Sequence, residues 1–160
     1  MTGKKVKLET NMGDIVISLY EDMPVTAGNF EKLVNEGFYN GIIFHRVING
    51  FMIQAGCPLG TGTGGPGYNI KDEFVKGHSN TRGTMAMANT GQPNSGGSQF
   101  FINLGDNSYL DWDNTSRPYK HPVFGEVSEG MDVVDKIAKL PTTPSDRPKT
   151  EAKIIKATVI

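Results

Sequence analysis

The sequence contains a single cysteine, and its positive and negative charges nearly balance. Its 160 residues include one cysteine, Cys57, which excludes an internal disulfide, and the three histidines lack the close spacing of a zinc site. The net charge of -1 and the pI of about 6.3 argue against a domain built to bind phosphate backbones or anionic membranes. A chain of this length buries roughly two thirds of its unfolded surface, so we expect a single domain over residues 1–160.

Long apolar runs are also missing. None approaches the roughly 20 residues that cross a bilayer, and the start MTGKKVKLET lacks the apolar core of a secretory signal. We therefore expect a soluble, cytoplasmic protein that binds neither membranes nor nucleic acid. The simplest interpretation of Cys57 is a small buried residue without a redox role. The sequon Asn114-Thr115-Ser116 has no consequence without secretion.

Strand signals dominate what the sequence does contain. Short apolar segments separated by glycine-rich turns are typical of an antiparallel barrel or sandwich. The eight candidate strands are VKLET, DIVISLY, IIFHRVI, FMIQAG, GTMAMAN, SQFFINL, HPVFGEV and AKIIKATVI. Two segments, Thr26 to Glu36 and Met131 to Leu140, have helical spacing instead, with Phe30, Leu33 and Val34 on the apolar face of the first. These helices could cover the open ends of a barrel.

The segment FHRVINGFMIQAG combines one guanidinium and one amide with large apolar side chains. Its Asn49-Gly50 pair predicts a tight hairpin, because a primed turn needs positive φ at both central residues. Arg46 and Met52 should then lie on neighbouring strands, and alternation puts Met52 and Gln54 on one face. The combination suggests a concave apolar site that holds one strong hydrogen-bond donor.

The segment GTMAMANTGQPNSGGSQFFINL predicts two strands with apolar residues on both faces. Alternation puts Ala86 and Ala88 on one face of the first strand, and Gln99 and Phe101 on one face of the second. One face would be covered by the core. The other is free to be covered by a ligand, and Asn89 can offer hydrogen bonds to an extended peptide.

The connection from Pro58 to His78 is rich in glycine and irregular. A compact domain seldom carries such a loop without using it. Gly60 to Gly65 formally fits the G-x-G-x-x-G pattern, but an irregular loop follows where a nucleotide fold needs a helix. We therefore predict no nucleotide site here.

These segments together closely resemble the cyclophilins, which are peptidyl-prolyl cis-trans isomerases. The resemblance is carried, in order along nearly the whole chain, by FHRVINGFMIQAG, GTGTGG, MAN at 87–89, GSQFF at 97–101 and HPVFGEV from 121. It implies an all-β fold with two capping helices, a closed antiparallel β-barrel of about eight strands. It also implies a monomeric enzyme without metal or cofactor that accelerates rotation about X-Pro bonds and assists folding, with proline-containing peptides and unfolded or flexible protein segments as partners.

The resemblance further implies a set of site residues. Arg46 would be the catalytic group. The substrate-binding residues would be Phe51, Met52, Gln54, Gly62, Ala88, Asn89, Thr90, Gln99, Phe101, Tyr109, Leu110 and His121. The proline pocket would be formed by Phe51, Met52, Phe101 and Leu110, and the substrate backbone would be oriented by Gln54, Asn89 and Gln99.

Each assignment has a simpler alternative. Arg46 could be a surface arginine lying along apolar neighbours, and the pocket residues could be ordinary core residues. His121 is better explained as a packing or hydrogen-bonding residue than as an acid or base, since isomerisation moves no proton. At the level of function, the rivals are a non-catalytic proline-peptide-binding or chaperone module and a structural component of a larger assembly.

The sequence departs from the family pattern at Tyr109, where many cyclophilins carry a tryptophan that contributes to binding cyclosporin. The connection from 111 to 120 is also longer than in the commonest members, and Trp112 could fold back over the pocket or lie elsewhere. We therefore expect reduced affinity for cyclosporin but preserved turnover, because tyrosine still offers an apolar ring.

Overall fold

The computed structural model describes residues 2–75, 77–90, 92, 94–111 and 120–160, and in this range the chain forms eight strands, two α-helices and the short 3₁₀ helix Ser108–Leu110. The strands and helices in chain order are β1 Thr2–Thr10, β2 Gly13–Tyr20, α1 Pro24–Asn35, β3 Arg46–Ile48, β4 Met52–Ala55, β5 Thr84–Met87, β6 Phe100–Asn103, β7 Val123–Glu129, α2 Met131–Ala138 and β8 Ile154–Val159. Every predicted strand and both predicted helices are present. Neither described helix is long and apolar enough to span a bilayer.

All eight strands belong to one antiparallel sheet with the order β3-β4-β6-β5-β7-β2-β1-β8. No ladder joins its edge strands β3 and β8 within the described residues, so the sheet is an open, strongly curled half-barrel. The prediction of a closed barrel is therefore wrong in this respect. The start of β8 meets residues 41–44, which precede β3, and not β3 itself: the contacts are the isolated bridge Ile43–Lys153 and backbone hydrogen bonds from Gly41 N to Ile154 O, Ile154 N to Ile42 O and Phe44 N to Ala152 O, at 2.7, 2.8 and 2.8 Å.

Helix α1 begins at Pro24, two residues before the predicted Thr26, and ends at Asn35, one residue before the predicted Glu36. Pro24 stands in the first turn, where its missing N–H would have had no partner within the helix. The N–H groups of Val25 and Thr26 donate to the two carboxylate oxygens of Glu73, at 3.0 and 2.8 Å. Gly37, with φ of 75°, follows the last turn. The long connection after β4 is thus tied to the start of this helix.

The hairpin between β3 and β4 is present, but its turn differs from the prediction. Ile48 pairs with Met52, which leaves three residues in the loop, and Phe51 N donates to Ile48 O at 3.0 Å. Gly50 is the one residue of this fully described loop with positive φ, 82°. A three-residue hairpin loop needs a single left-handed position, whereas a primed two-residue turn needs one or two. In the resulting register Arg46 lies directly opposite Gln54.

The strands β4, β5 and β6 have two distinct faces, as alternation predicted. The inner face packs into the main core with both helices and carries Ile53, Ala55, Met85, Met87, Phe100 and Ile102. The outer face forms a second, smaller apolar cluster composed of Met52, Ala86, Phe101, Leu110 and Val123. The candidate site therefore lies on the opposite side of these strands from the main core.

Candidate active site

A cavity of about 500 Å³ lies on the outer face of β3, β4 and β6, and we call it the apolar pocket. Most of the predicted site residues line it: Arg46, Phe51, Met52, Gln54, Ala88, Asn89, Phe101, Tyr109, Leu110 and His121. Met52, Phe101 and Leu110 are at least 94% buried. They nevertheless belong to the outer cluster and not to the main core. The pocket therefore has a rigid apolar floor.

Among the described residues that line this pocket, Arg46 alone carries a permanent charge. It stands at the start of β3, and cross-strand pairing with Gln54 places it beside the apolar floor. Its side chain is exposed and makes no hydrogen bond or ion pair with any residue that the structure describes. The N–H groups of its guanidinium are therefore available to a bound molecule.

Two amide side chains connect β4, the strand paired with that of Arg46, to the glycine-rich loop. Gln54 Nε2 donates to Gln99 Oε1 at 3.0 Å, and Gln99 Nε2 donates to the carbonyls of Gly62 and Gly64 at 2.9 and 3.0 Å. The amide of Gln99 is thus engaged with the protein, and its position fixes the loop. No described residue donates to Gln54 Oε1, so this oxygen can accept a bond from a ligand.

The rim of the pocket is aromatic. The Phe51 and Tyr109 rings are stacked with centroids 6.3 Å apart and an interplanar angle of 16°. His121 meets the Phe101 ring edge-on at 5.2 Å, and its Nδ1 hydrogen-bonds Met87 O at 3.0 Å. His121 is therefore a packing and hydrogen-bonding residue. The prediction that Trp112 could fold back over the pocket falls on residues 112–119, which lie outside the described residues. The sequon at 114–116 lies in the same segment.

A buried amide network supports the pocket from behind, and the sequence analysis missed it. Asn107 Nδ2 donates to Phe51 O and to Asn103 Oδ1, at 2.8 and 2.9 Å. Asn103 Nδ2 donates to Asn80 Oδ1 at 3.0 Å, and Asn80 Nδ2 donates to Asp111 Oδ1 at 2.8 Å. This network connects the Phe51 backbone to the residue that follows Leu110. In sequence these asparagines resemble ordinary turn residues, so no local signal could have revealed them.

A second cavity of about 660 Å³ adjoins the first and shares Gln54, Ala88 and Asn89 with it. We call it the polar groove. It contains the remaining predicted residues, Gly62, Thr90 and Gln99. The thirteen predicted residues therefore all lie on two adjoining cavities. The sequence analysis missed the other wall, which includes Gly64 to Asn69, Ser95, Gly97 and Ser98.

Long-range contacts hold that wall in place. Tyr68 Oη donates to Asn29 Oδ1 of α1 at 2.6 Å, and Asn29 Nδ2 donates to Gly97 O at 2.8 Å. Lys32 lies over the Tyr68 ring, 4.9 Å from its centroid. The sequence signal for this wall was the glycine-rich connection itself, which predicted a used loop without saying which residues it would present.

Cys57 anchors the start of the same loop. Its Sγ accepts hydrogen bonds from the N–H groups of Gly62 and Gly64, at 3.3 and 3.2 Å. Burial alone raises the pKa of this thiol, but the surrounding backbone N–H groups outweigh burial and lower the pKa from 9.0 to about 7. The side chain is 1% exposed, so the cysteine is buried, as predicted. In the described part of the chain, no group of three His, Cys, Asp or Glu side chains could hold a metal ion.

Comparison with known proteins places this geometry in a family. The profile of the family "Cyclophilin type peptidyl-prolyl cis-trans isomerase/CLD" matches residues 5–159. A peptidyl-prolyl cis-trans isomerase of Acinetobacter baylyi is 48% identical over 94% of this chain and 82% of its own length. A peptidyl-prolyl cis-trans isomerase-like 1 of Neurospora crassa is 44% identical over 97% of this chain and 93% of its own.

Solved structures agree. A Cryptosporidium parvum cyclophilin-type isomerase, crystallised in the presence of the dipeptide Ala-Pro, superposes with a TM-score of 0.89 at 31% identity. The superposition covers 98% of both chains. The family profile, the identity of the relatives and the shared fold agree over nearly the whole chain, and the chain accordingly belongs to the cyclophilin-type peptidyl-prolyl cis-trans isomerases.

Proposed function

We propose that this isomerase catalyses X-Pro rotation by presenting Arg46 to the prolyl nitrogen of a peptide whose proline ring fills the apolar pocket. The observation that carries the proposal is a guanidinium without a described partner at the edge of a buried apolar floor. The pocket residues with this role are Phe51, Met52, Phe101 and Leu110. The reaction needs no metal or organic cofactor, because no bond is cleaved and no electron is transferred.

The chemistry explains why a fixed cation is useful at that position. Rotation about an amide has a barrier of about 18–20 kcal/mol because resonance must be broken. In the twisted transition state the prolyl nitrogen becomes pyramidal and regains its lone pair. A donor aimed at that nitrogen finds an acceptor that scarcely exists in the planar ground state, so it lowers the barrier instead of only tightening binding. Arginine cannot lose its proton, and it acts as an electrostatic donor.

The magnitudes require more than one contribution. Shortening a process of tens of seconds to milliseconds takes a factor of about 10⁴, or roughly 5–6 kcal/mol. One hydrogen bond to a charged group supplies about 1.5–3 kcal/mol. The rest must come from transferring the amide into an apolar pocket, which favours its less polar twisted form, and from anchoring the residues that flank the rotating bond. Gln54 and Asn89 are positioned for that anchoring.

The polar groove provides room for the flanking residues of an extended peptide. Its shared border with the apolar pocket, at Gln54, Ala88 and Asn89, lets one chain occupy both. Thr90 and Gly62 line it. The presence of Ala-Pro with the related C. parvum isomerase supports a proline-containing substrate. The clients are unfolded or flexible segments, so the enzyme assists folding.

The proposal extends to the wider role of the protein. The protein acts as a cytoplasmic monomer on polypeptides and does not bind nucleic acid or membranes. Cyclosporin binds with reduced affinity, because Tyr109 replaces a tryptophan at the pocket rim. Its ring is 39% exposed and stacked on Phe51, which still provides an apolar edge for a substrate.

Exchange spectroscopy on a short Ala-Pro peptide tests the proposal. The wild type should accelerate exchange, and Arg46→Ala should reduce kcat/KM about ten- to hundredfold, with most of the loss in kcat. Arg46→Lys is the matched control, since it keeps the charge and loses the planar donor fork. Equal rates for the wild type and Arg46→Ala would remove Arg46 from the mechanism. Binding without acceleration would identify a peptide-binding or chaperone module.

A further inference from the structure

A third, smaller hollow of about 280 Å³ opens beside Arg46, and we call it the side hollow. It shares Arg46 and Gln54 with the apolar pocket. Its other wall comes from a distant part of the chain, with Ser145 and Arg147 lining it. None of the catalytic steps proposed above uses these two residues or this space.

The turn that carries Arg147 is fixed against β3 by its backbone. Val47 N, next to Arg46, donates to Asp146 O at 2.7 Å. The turn is closed by Thr143 N donating to Arg147 O at 2.8 Å, and Asp146 adopts the left-handed φ of 66°. This geometry brings a second arginine to the hollow that Arg46 already borders. Arg147 Nη1 donates to Gly60 O at 2.5 Å, which orients the guanidinium and leaves its other N–H groups available.

The described lining of the side hollow contains positive charges only, although Asp146 stands next to it in sequence, between Ser145 and Arg147. It has two fixed cations, and no Asp or Glu stands among the described residues that line it. The four ion pairs found in the described chain involve neither arginine. The protein as a whole carries a net charge of -1, so the two arginines of the hollow do not reflect an overall excess of positive charge. Two like charges held close together repel each other, and an anion between them removes that penalty.

His45 responds to the same field. It also lines the hollow, is 8% exposed, and its Nδ1 has no hydrogen-bond partner in the structure as described. Burial lowers its pKa first, and the charges of Arg147 and Arg46 lower it further. His45 is therefore neutral at physiological pH, and the anion-binding charge of the hollow resides on the two arginines.

We propose that the side hollow is a subsite for an acidic side chain of the substrate, one to three residues from the proline. The inference rests on the proposed function and names a preference of that same site. A guanidinium matches a carboxylate with two parallel hydrogen bonds, and the Ser145 hydroxyl offers another donor. The volume is slightly below the roughly 300–1,000 Å³ of small-molecule sites, which suits one side chain and not a separate ligand.

The test compares matched peptides containing one Ala-Pro bond. Glu or Gln is placed at each of the three positions before and after this dipeptide, with both termini blocked so that the only carboxylate is the side chain. We expect Glu to raise kcat/KM about fivefold over Gln at one or two adjacent positions, the equivalent of about 1 kcal/mol for a solvent-accessible ion pair. The gain should appear in KM and shrink as salt is added.

Substitutions then assign the effect to the hollow. The Glu-to-Gln ratio should fall to about one in Arg147→Gln and be partly retained in Arg147→Lys. The ratio is taken within each variant, so a general loss of activity cancels. Lys156→Gln removes the same charge from an exposed position of β8 and should leave the ratio as in the wild type.

The possible failures are separable. Acceleration of all peptides to the same extent by the wild type would overturn the subsite and leave the isomerase function standing. A preference for Glu that persists in Arg147→Gln would also overturn it, since the charge would then act from elsewhere. Acceleration of none of the peptides would overturn the proposed function and the subsite with it.

Discussion

The two faces of β4, β5 and β6 are built from alternate residues of the same three strands, yet they do different work. The inner face is wholly apolar and is completed by the helices. The outer face has a smaller apolar cluster and interleaves it with Gln54 and Gln99, and one side of it opens to a cavity. A period of two residues lets one short sheet hold the core and the active site back to back. Stability and activity should therefore separate along single strands.

The largest difference in stability and activity is expected between substitutions at two neighbouring residues of β6. Phe100 is fully buried and packs edge-on against Phe30 and Tyr39, at 5.4 and 5.5 Å between centroids. Phe100→Ala should lower the free energy of unfolding by about 3–5 kcal/mol, because it leaves a closed cavity in the core. Phe101→Ala should cost less stability, about 1.5–3 kcal/mol, because its site already opens to solvent.

Urea unfolding and turnover of an Ala-Pro peptide measure this contrast together. Phe101→Ala should lose most of its turnover, whereas the folded fraction of Phe100→Ala should keep it. Similar losses of stability and activity in the two variants would mean that the faces are not independent.

The second comparison concerns what holds each face. The inner face, which we call the core face, is stabilised by packing. The outer face, which we call the site face, is additionally stabilised by the buried amide network. Asn103, at the end of β6, is fully buried and bonded to Asn80, Thr84 and Asn107. Asn103→Ala should lower the free energy of unfolding by about 1–3 kcal/mol, because several buried polar groups lose a partner.

The same substitution should also reduce turnover, since Asn107 then has less support to hold the Phe51 backbone. Thr84→Val is a milder comparison, because it leaves Asn103 in place and removes only the Thr84 hydroxyl, which accepts from Asn103 Nδ2 and donates to Thr81 O. A variant at Asn103 that loses stability without any change in turnover would show that the network supports the fold alone.

The sequence allowed the two faces to be predicted because alternation depends only on neighbouring residues. Met52 with Gln54, Ala86 with Ala88, and Phe101 opposite Phe100 were all assigned from spacing, and the structure has them so. The placement of Arg46 at the pocket came from the resemblance to the family, since an isolated arginine in a strand carries no such information.

The rest depended on contacts between distant residues. Closure of the barrel depends on the contacts around Ile43 and Lys153. The second wall of the side hollow depends on Arg147, which is hydrogen-bonded to Gly60, 87 positions away in sequence. The amide network joins Asn80 to Asp111 across 31 positions. None of these has a periodic signal in the chain. The predicted turn type at Asn49-Gly50 was wrong for a different reason, since an Asn-Gly pair fits hairpin loops of more than one length.

A smaller effect, on kcat/KM, is expected where the outer face of the sheet meets the glycine-rich loop. Gln99→Met keeps the length of the side chain but removes its bonds to Gly62 and Gly64 and the bond that it accepts from Gln54. We expect kcat/KM to fall about fivefold, or about 1 kcal/mol, mainly through KM, because the wall of the polar groove loses its support. Lys156→Gln, an exposed change on β8 that lines neither cavity, should leave KM unchanged. A decrease in kcat with unchanged KM would instead assign Gln99 a role in the chemical step.

The last effect is a pH dependence of stability confined to the loop that starts at Cys57. Its pKa is lowered from 9.0 to about 7 in the folded protein, so the folded state releases this proton at lower pH than the unfolded state does. The stabilisation is fully present above pH 9.0 and is lost as the pH falls through about 7. Between those values it should change the free energy of unfolding by about 2–3 kcal/mol.

Urea unfolding of the wild type and of Cys57→Ala, compared at the two ends of that range, isolates the thiol because all other titrating groups are common to both. The difference between the two proteins should increase toward high pH, and the ultraviolet absorbance of the thiolate should titrate near pH 7. A difference independent of pH would mean that the sulfur accepts its hydrogen bonds from Gly62 and Gly64 as a neutral thiol. The site face would then be held, like the core face, by contacts that do not depend on charge.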